Sequence, residues 1–165
     1  MIHIVLLQPE IPQNTGNIAR TCSATGAALH LVEPLGFSID DKHLKRAGLD
    51  YWDKLQVYRY PSTEEFFRQN AGGNFYFFTT KAEKNHCQVD YEEDVYLIFG
   101  RETRGIDEEI LVQHRDHCVR IPMRTDIRSL NLSNSAAIAI YEVLRQRDFA
   151  GLESEGHLHR LHWED

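Results

Sequence analysis

Six short apolar runs alternate along the chain with segments of helical periodicity. Several of the runs are continuously apolar, which is typical of strands that helices cover on both faces of a parallel sheet. We predict six strands in the segments IHIVLLQ, ALHLVEP, LQVYRYP, NFYFFTT, VYLIFG and CVRIPM. Strands that alternate with helices in this way predict an α/β fold, with a mostly parallel six-stranded sheet and helices on both faces.

The segments between the runs predict four helices from their caps and apolar stripes. NTGNIARTCSAT has Asn14 as its predicted N-cap and Gly26 as its C-terminal stop. STEEFFRQN opens with a capping box formed by Ser62 and Glu65. ETRGIDEEILVQH carries three apolar residues on one helical stripe, Ile106, Ile110 and Leu111. The fourth helix lies in the second half of RSLNLSNSAAIAIYEVLRQ.

The stretch that leads into the fourth helix has more polar side chains than a helix start requires. Its eight positions include Arg128, Ser129, Asn131, Ser133, Asn134 and Ser135. One side chain is enough for an N-cap, and Ser133 or Asn134 can supply it. Ser129 and Asn131 are then left in an irregular loop, where hydroxyl and amide groups suit a small polar ligand held by several hydrogen bonds.

Length and composition limit the class of protein. A chain of 165 residues, 42% hydrophobic and 26% charged, is expected to form one domain, predicted over residues 1–150, with a C-terminal tail over 151–165. No apolar run reaches the roughly 20 residues that span a bilayer. The N-terminal segment has the pattern of a strand and not of a signal peptide. We therefore expect a cytoplasmic protein with no membrane partner.

Cysteine and histidine give no sign of a metal site. The three cysteines are widely spaced and outside any C-x-x-C pattern, which favours free thiols in a reducing compartment: Cys22, Cys87 and Cys118. His157, His159 and His162 lie in the unpatterned C-terminal tail, where a solvated tail is the better interpretation than a metal cluster.

The net charge argues against non-specific binding of nucleic acid. Lysine and arginine number 18 against 25 acidic residues, which gives −7, whereas proteins that bind phosphate backbones non-specifically are usually basic. A nucleic-acid partner would need a local basic patch. The candidates are DKHLKRAG, with Lys42, Lys45 and Arg46, and the arginines Arg101, Arg104, Arg120, Arg124 and Arg128. Each of these taken alone is more simply a solvated surface charge.

Ligands of open parallel sheets bind beyond the carboxyl ends of the strands. The loops predicted there contain no G-x-G-x-x-G, no G-x-x-x-x-G-K-[ST] and no G-x-S-x-G, so common dinucleotide, NTPase and hydrolase sites are unsupported. Gly100 ends the fifth strand and would let a ligand approach the backbone, although a tight turn also explains it. Asn17 and Arg20 lie three apart on one helix face, which we expect to be near a helix N-terminus that binds an anion such as phosphate.

Three ordered stretches, NTGNIAR, FGRETRGI and IPM followed by SLNLSNS, resemble the three motifs of the SPOUT superfamily of RNA methyltransferases. The chain is similar in particular to the small TrmL/YibK branch, the tRNA 2′-O-methyltransferases that act on the wobble nucleotide, position 34, cytidine or modified uridine. EPLGFSIDDKHLKRAGLDYW also resembles that branch. The resemblance extends from about Met1 to Gln146. One departure is Arg101, where the branch often has a small residue or proline.

The resemblance implies a C-terminal trefoil knot that holds S-adenosylmethionine as the methyl donor, a fold that composition and periodicity do not suggest. The polar loop before the fourth helix would wrap the donor. The cofactor pocket would be lined by seven residues: Phe78, Thr79, Gly100, Ile121, Met123, Ser129 and Leu130. Glu102 and Asn131 would lie nearest the transferring methyl group. Arg20 matches the arginine to which the family assigns catalysis, and Asn17 accompanies it in the same motif.

The implied reaction is an in-line displacement by a ribose hydroxyl, which depends mainly on alignment of the reactants. Arginine is almost always protonated, so Arg20 is a poor general base. We expect Arg20 to hold the hydroxyl and an adjacent phosphate, with the phosphate assisting proton loss and no metal taking part. The RNA contacts implied at the rim are Lys42, Lys45, Arg46, Arg101 and Arg104.

The resemblance also implies a homodimer that binds the anticodon stem-loop of tRNA. The fourth helix is apolar over more than the ~100° stripe that faces a single core, which is consistent with a second protomer packing on it. Two alternatives stay open at this point. One is a non-catalytic knotted RNA-binding protein, which would not bind S-adenosylmethionine. The other is a flavodoxin-like nucleotide-binding protein, which would carry a coloured flavin.

Overall fold

The structure is a computed structural model that describes residues 1–40, 42, 46 and 52–164. Its six strands are β1 (Ile2–Leu7), β2 (Ala28–Val32), β3 (Val57–Tyr60), β4 (Phe75–Phe78), β5 (Val95–Phe99) and β6 (Cys118–Val119). They form one sheet in the order β3-β2-β1-β5-β4-β6, and all neighbouring strands pair in parallel. The predicted parallel sheet is confirmed. Each strand ends earlier than predicted, before the polar loop that follows it.

Four helices whose bounds lie within the described residues accompany the sheet, and they correspond to the four that the sequence predicts. They are α1 (Pro12–Thr25), α2 (Thr63–Gln69), α3 (Glu108–Gln113) and α4 (Leu132–Gln146). Single turns of 3₁₀-helix lie at His86–Gln88 and Arg115–His117. Ile106, predicted on the stripe of the third helix, lies before α3 and is buried there.

The predicted start of α1 is wrong. The helix begins at Pro12, with Ile11 as an N-cap that provides no side-chain hydrogen bond. Proline suits the first helical position, where its missing N–H has no helical partner to lose. Asn14 is therefore inside the first turn, where it is buried and 6% exposed. The predicted end is confirmed. Gly26 is the C-cap, with a left-handed φ of 76°, and its backbone N–H donates to the Cys22 carbonyl.

The sheet is covered on both faces, which explains the continuous apolar runs. Along β1, Ile4 and Leu6 face one core, which contains residues of α1 and α4. Val5 and Leu7 face the other core, which contains Phe66 of α2 and Leu111 of α3. Both faces of β1 are covered, so its residues are apolar except His3, which is partly exposed near the start of the strand.

A chain of polar side chains crosses the second face of the sheet, from Asp94 just before β5 to Asn70 at the end of α2. Asp94 Oδ1 lies 3.0 Å from His3 Nε2, and His3 Nδ1 lies 2.9 Å from His30 Nε2. His30 Nδ1 lies 2.8 Å from the Tyr60 hydroxyl, which accepts a bond of 3.3 Å from Asn70 Nδ2. With both histidines neutral, each group can donate to the next and the chain ends on the Asp94 carboxylate.

Within the described residues, no helix is long and apolar enough to cross a membrane. The same residues contain no group of three or more metal-ligating side chains in binding distance. Residues 151–164 of the tail hold no helix or strand, and the rings of His157 and His159 lie 5.8 Å apart.

Candidate active site

The loops after β4, β5 and β6 meet at the carboxyl end of the sheet, around a cavity of about 590 Å³. We call it the central cavity. All seven residues predicted to bind the cofactor line it: Phe78, Thr79, Gly100, Ile121, Met123, Ser129 and Leu130. Glu102, Asn131, Arg101 and Arg104 line it too. The fold thus brings three distant motifs to the edge where ligands of parallel sheets bind.

The walls of the central cavity are apolar on one side and polar on the other. Phe78 stacks on Phe99 with ring centroids 4.9 Å apart, and Ile121, Met123 and Leu130 continue the apolar surface. Hydroxyl and amide groups are contributed by Thr79, Ser129, Asn131 and Ser135. The volume falls in the range of small-molecule sites, which are mostly apolar with a few fixed polar groups.

Gly100 serves the loop itself. A Cβ at this position would lie 2.1 Å from the carbonyl carbon of Gly105 and 2.3 Å from the backbone nitrogen of Ile106. The loop after β5 folds back on its own first residue, helped by Gly105 with a left-handed φ of 69°. The expectation that Gly100 makes room for a ligand is therefore revised, because the chain's own backbone occupies that space.

Asn131 is the N-cap of α4, so the prediction that Ser133 or Asn134 caps this helix is wrong. Its Oδ1 accepts hydrogen bonds from the backbone N–H groups of Ser133 at 2.9 Å and Asn134 at 3.3 Å. Its Nδ2 donates to Asn14 Oδ1 at 3.1 Å. Asn131 therefore combines two roles, since it starts α4 and links that start to the first turn of α1.

Glu102 joins the loop after β5 to the start of α1. Its Oε2 accepts from the backbone N–H of Glu10 at 2.8 Å, and its Oε1 accepts from Ile11 N–H at 3.0 Å and from Asn14 Nδ2 at 3.4 Å. An anion at a helix N-terminus is favourable, because the free N–H groups carry positive partial charge. Both carboxylate oxygens are already engaged, so this carboxylate is a fixed acceptor at the cavity wall.

Arg101 is also committed within the chain. Its guanidinium donates to Gln8 Oε1, and to Asp107 Oδ1 at 2.5 Å. It ties the end of β1 to the N-cap of α3 and is only 21% exposed. These bonds give Arg101 a structural role, while its predicted contact with RNA stays a prediction.

Arg20 and Asn17 do not line the central cavity. They lie on the exposed face of α1. Arg20 is the ninth residue of this helix, so the expectation that it lies beside the helix N-terminus is wrong. The backbone N–H groups just before this helix, those of Glu10 and Ile11, donate to Glu102 instead.

The basic residues that are candidates for RNA contact lie in two places. Lys42 and Arg46 are exposed, and Lys45 lies outside the described residues. Around the cavities, three guanidinium groups have no ion pair or hydrogen bond within the described part of the chain: Arg104, Arg120 and Arg128. Arg128 and Asn14 line the central cavity but were not predicted as site residues. Asn14 was missed because it was interpreted as a helix cap. Arg128 was missed because a single arginine in a loop is a weak indication of a site.

Comparison with known proteins agrees with this arrangement. Residues 1–141 match the family described as the SpoU rRNA Methylase family. A tRNA (cytidine(34)-2′-O)-methyltransferase of Methylovorus glucosotrophus is 51% identical over 152 residues, which cover 92% of this chain and 99% of the relative.

Two solved structures have the same fold. One, from a study of the 2-OH methylation of C/U34 on tRNA, has a TM-score of 0.86 and 42% identity over 90% of this chain and 97% of that chain. The other is the SpoU methyltransferase AviRb from Streptomyces viridochromogenes in complex with AdoMet. Its TM-score is 0.78, with 27% identity over 88% of this chain and 57% of that chain.

Proposed function

The chain belongs to the SpoU rRNA Methylase family, and from that premise we propose that it methylates the ribose 2′-hydroxyl of the wobble nucleotide of tRNA, position 34. Cytidine or a modified uridine is the accepting nucleotide, and S-adenosylmethionine is the donor. The observation that carries the proposal is the convergence on the central cavity of the loops after β4, β5 and β6, which include the second and third motifs, together with Asn14 of the first motif. The relatives named for C34 methylation match nearly the whole chain, including these loops.

The central cavity fits S-adenosylmethionine by size and by chemistry. The apolar surface around Phe78, Ile121 and Leu130 suits the adenine ring, and the hydroxyl and amide groups of Thr79, Ser129 and Asn131 suit the polar parts of the donor. S-adenosylmethionine supplies an electrophilic methyl group on a sulfonium. The AdoMet complex of a structural relative supports this assignment.

The residues of the chain contribute mainly alignment. Glu102 and Asn131, joined through Asn14, fix the starts of α1 and α4 against the cavity wall. This rigidity holds the donor side in one geometry, and such orientation can supply about 7–11 kcal/mol of the barrier. In the displacement, the ribose oxygen forms a bond to the methyl carbon, the carbon–sulfur bond breaks, and the hydroxyl proton leaves. Arg20 holds the hydroxyl and a neighbouring phosphate, which assists that proton transfer.

We propose that the active unit is a homodimer formed through α1 and α4. The two helices pack on one face of the sheet, and their outer sides carry exposed Ile138 and Tyr141 on α4 beside Arg20 on α1. Arg20 is outside the cavity of its own chain. In a dimer through this face, Arg20 of one protomer lies beside the cavity of the other, which reconciles its predicted role with its position.

The RNA is the anticodon stem-loop, held at a basic rim. Arg104 provides a guanidinium at the central cavity that has no ion pair among the described residues, and Lys42 and Arg46 provide exposed charges on the segment before β3. A local patch of this kind is needed because the chain as a whole carries a charge of −7. This substrate also supports a cytoplasmic location.

We further propose that the polypeptide after β4 threads a trefoil knot around the donor site, as in the SPOUT superfamily. The sheet order β5-β4-β6 supports this. After β5 the chain crosses β4 and forms β6 on the far side of β4, and it then returns so that α4 packs on α1. A crystal structure whose density traces residues 75–146 without a break tests the threading.

Isothermal titration with S-adenosylmethionine, followed by methylation of bulk tRNA with a labelled methyl group, tests the proposed function. We expect one donor site per chain and label only in tRNA. A protein that binds tRNA and not the donor would instead be a non-catalytic RNA-binding protein, and the proposal would be wrong.

A further inference from the structure

A second cavity, of about 510 Å³, adjoins the central cavity and shares Met123 with it. It lies between two segments, one over residues 83–88 and the other over residues 120–127. The segments are joined by backbone hydrogen bonds from His86 N–H to the Arg120 carbonyl at 2.8 Å, and from Arg120 N–H to the Lys84 carbonyl at 2.9 Å. The floor of this cavity is thus a short extension of the sheet edge and is fixed by the fold.

The amide groups at this cavity are pre-oriented. Asn85 Oδ1 accepts from the backbone N–H of Cys87 at 2.9 Å, and Gln88 Oε1 accepts from the backbone N–H of Asn85 at 2.9 Å. This capping box holds both amide oxygens. The NH₂ groups of Asn85 and Gln88 have no partner among the described residues, so each presents donors with a fixed direction.

The charge at this cavity is positive. The half-buried Arg120 has no ion pair within the described residues. Arg124 reaches Asp126 only at 3.4 Å, and both side chains are mostly exposed. Glu83, the acidic residue of the lining, is neutralised by a two-pronged bond to Arg115, at 2.8 and 3.1 Å. An acidic protein therefore has a net positive pocket directly beside its proposed catalytic site.

The remaining wall is apolar and open. Ile127 is 53% exposed, and it lines the cavity with Met123 and Pro122. An apolar wall, directed amide donors and guanidinium groups together match a nucleotide, because bases stack on apolar surfaces while phosphates pair with arginine. Single-stranded loops are the part of RNA that offers unstacked bases for such contacts.

We propose that this cavity, the flanking pocket (Asn85, Gln88, Arg120, Arg124 and Ile127), binds one nucleotide of the substrate RNA adjacent to the nucleotide that is methylated. The base lies against Ile127 and the two amides, and a phosphate lies at Arg120 or Arg124. The inference rests on the proposed function and adds a second point of attachment. With one nucleotide at each of two adjoining cavities, the register of the RNA over the methyl donor is fixed.

Steady-state methylation of an anticodon stem-loop RNA by Ile127→Ser tests the base contact. We expect KM for the RNA to rise about tenfold, as for loss of one stacking contact, with unchanged affinity for S-adenosylmethionine and unchanged melting temperature. Val112→Ser is the matched control, because Val112 is 75% exposed on α3 outside the flanking pocket. This control should leave KM near the wild-type value.

Two further RNAs distinguish loss of a base contact from a general loss of RNA affinity. Each is the same stem-loop without the base of one nucleotide next to position 34. The flanking pocket predicts that Ile127→Ser loses its effect on KM with one of the two. An equal rise of KM with all three RNAs, or no rise with any, would overturn the inference. If the wild-type protein fails to methylate even the intact RNA, the proposed function fails first, and the ligand assigned to the pocket fails with it.

The phosphate contact has a separate readout. Arg124→Ala should raise KM for the RNA and reduce the slope of log KM against log salt by about 0.7, the value for one phosphate contact to a single strand. Arg59→Ala is the matched loss of charge, since Arg59 lies on β3 at the opposite edge of the sheet and pairs only with Glu33 among the described residues. Equal slopes for the wild type and Arg124→Ala would show that Arg124 binds no phosphate of the RNA.

Discussion

Asn131 shows how one side chain at a helix start can have two partners with different chemistry. Its oxygen caps α4, and its nitrogen bonds Asn14, which in turn points its own amide nitrogen at Glu102. The cap is a matter of stability, whereas the link to Asn14 positions the cavity wall. These two functions use different atoms, so they can be separated by substitution.

Asn131→Asp should keep the cap and lose the link. A carboxylate accepts from Ser133 and Asn134 as the amide does and is favourable at a helix N-terminus, so the melting temperature should stay near the wild-type value. Asn14 then loses a donor, and affinity for S-adenosylmethionine should fall. Asn131→Ala should lose about 1 kcal/mol of unfolding free energy as well. Calorimetry of both variants measures the two effects, with Ser62→Ala as a cap control far from the cavity. Unchanged donor affinity in both variants would make Asn131 purely structural.

His30 predicts an acid-sensitive stability. Burial, with a smaller contribution from the neighbouring His3, lowers the pKa of His30 to about 3. Because the folded-state pKa lies below the ordinary value near 6.5, the unfolded chain takes up the proton first as pH falls. Stability is therefore complete above about pH 6.5 and is lost below it, by at most roughly 1.4 kcal/mol per pH unit.

Urea unfolding between pH 6.5 and 5, above the range where most carboxylates titrate, measures this slope. His30→Gln should flatten it, and His157→Gln in the exposed tail should not. A slope that is the same in the wild type and His30→Gln would show that the buried chain of polar groups on the second face is not the origin.

At the scale of helices and strands, the sequence was informative wherever burial alone decides the structure. Most of the six strands follow from continuous apolar runs, because a parallel sheet between two layers of helices leaves little polar surface, whereas the edge strand β3 carries exposed Tyr58 and Arg59. Helix starts were less predictable. Asn131, Ser133 and Asn134 are all good N-caps, and the choice among them depends on Asn14, which is 117 residues away in the chain. Asn14 in turn was misassigned because Pro12 starts α1 two residues before it.

The loops of the site were predicted by resemblance and not by local pattern. The seven residues predicted for the cofactor pocket line one cavity, yet nothing in Gly100 alone distinguishes a ligand contact from a loop that folds back on itself. The flanking pocket was not predicted at all, since its two walls are brought together by backbone hydrogen bonds between segments more than 30 residues apart.

The exposed face of α1 leads to a prediction for Arg20. Arg20→Ala should reduce methyl transfer by several orders of magnitude and leave affinity for S-adenosylmethionine unchanged, because its proposed partners are the ribose hydroxyl and a phosphate of the RNA and not the donor. Arg20→Lys should restore little activity, because a lysine lacks the planar fork that binds a hydroxyl and a phosphate together. Single-turnover methylation of tRNA measures both variants. Near-normal rates in Arg20→Lys would show that the planar guanidinium is not required.

At the scale of the whole molecule, the proposed dimer depends on the outer side of α4. Ala139 of α4 is 0% exposed, so a charge there would disrupt the core. Ile138 and Tyr141 are 39% and 47% exposed and are the proper positions to test. Ile138→Arg and Tyr141→Arg should each give folded monomers that do not methylate tRNA.

Light scattering and circular dichroism at matched concentration measure assembly and folding of these variants. Val112→Arg on the other face of the sheet is the control and should remain dimeric. A wild-type protein that is monomeric and fully active at the working concentration would contradict the dimer.

Because the chain is acidic, it must recognise RNA by shape and by a few local charges. We propose that it methylates a single ribose 2′-hydroxyl, that of nucleotide 34. Two anticodon stem-loop RNAs, identical except that one has a 2′-deoxyribose at position 34, test it most directly. After incubation with S-adenosylmethionine, mass spectrometry of the digested RNAs should find one added methyl group on nucleotide 34 of the ribose form and none on the deoxy form. Methylation of the deoxy form, or a methyl group on a base or on another nucleotide, would contradict the account.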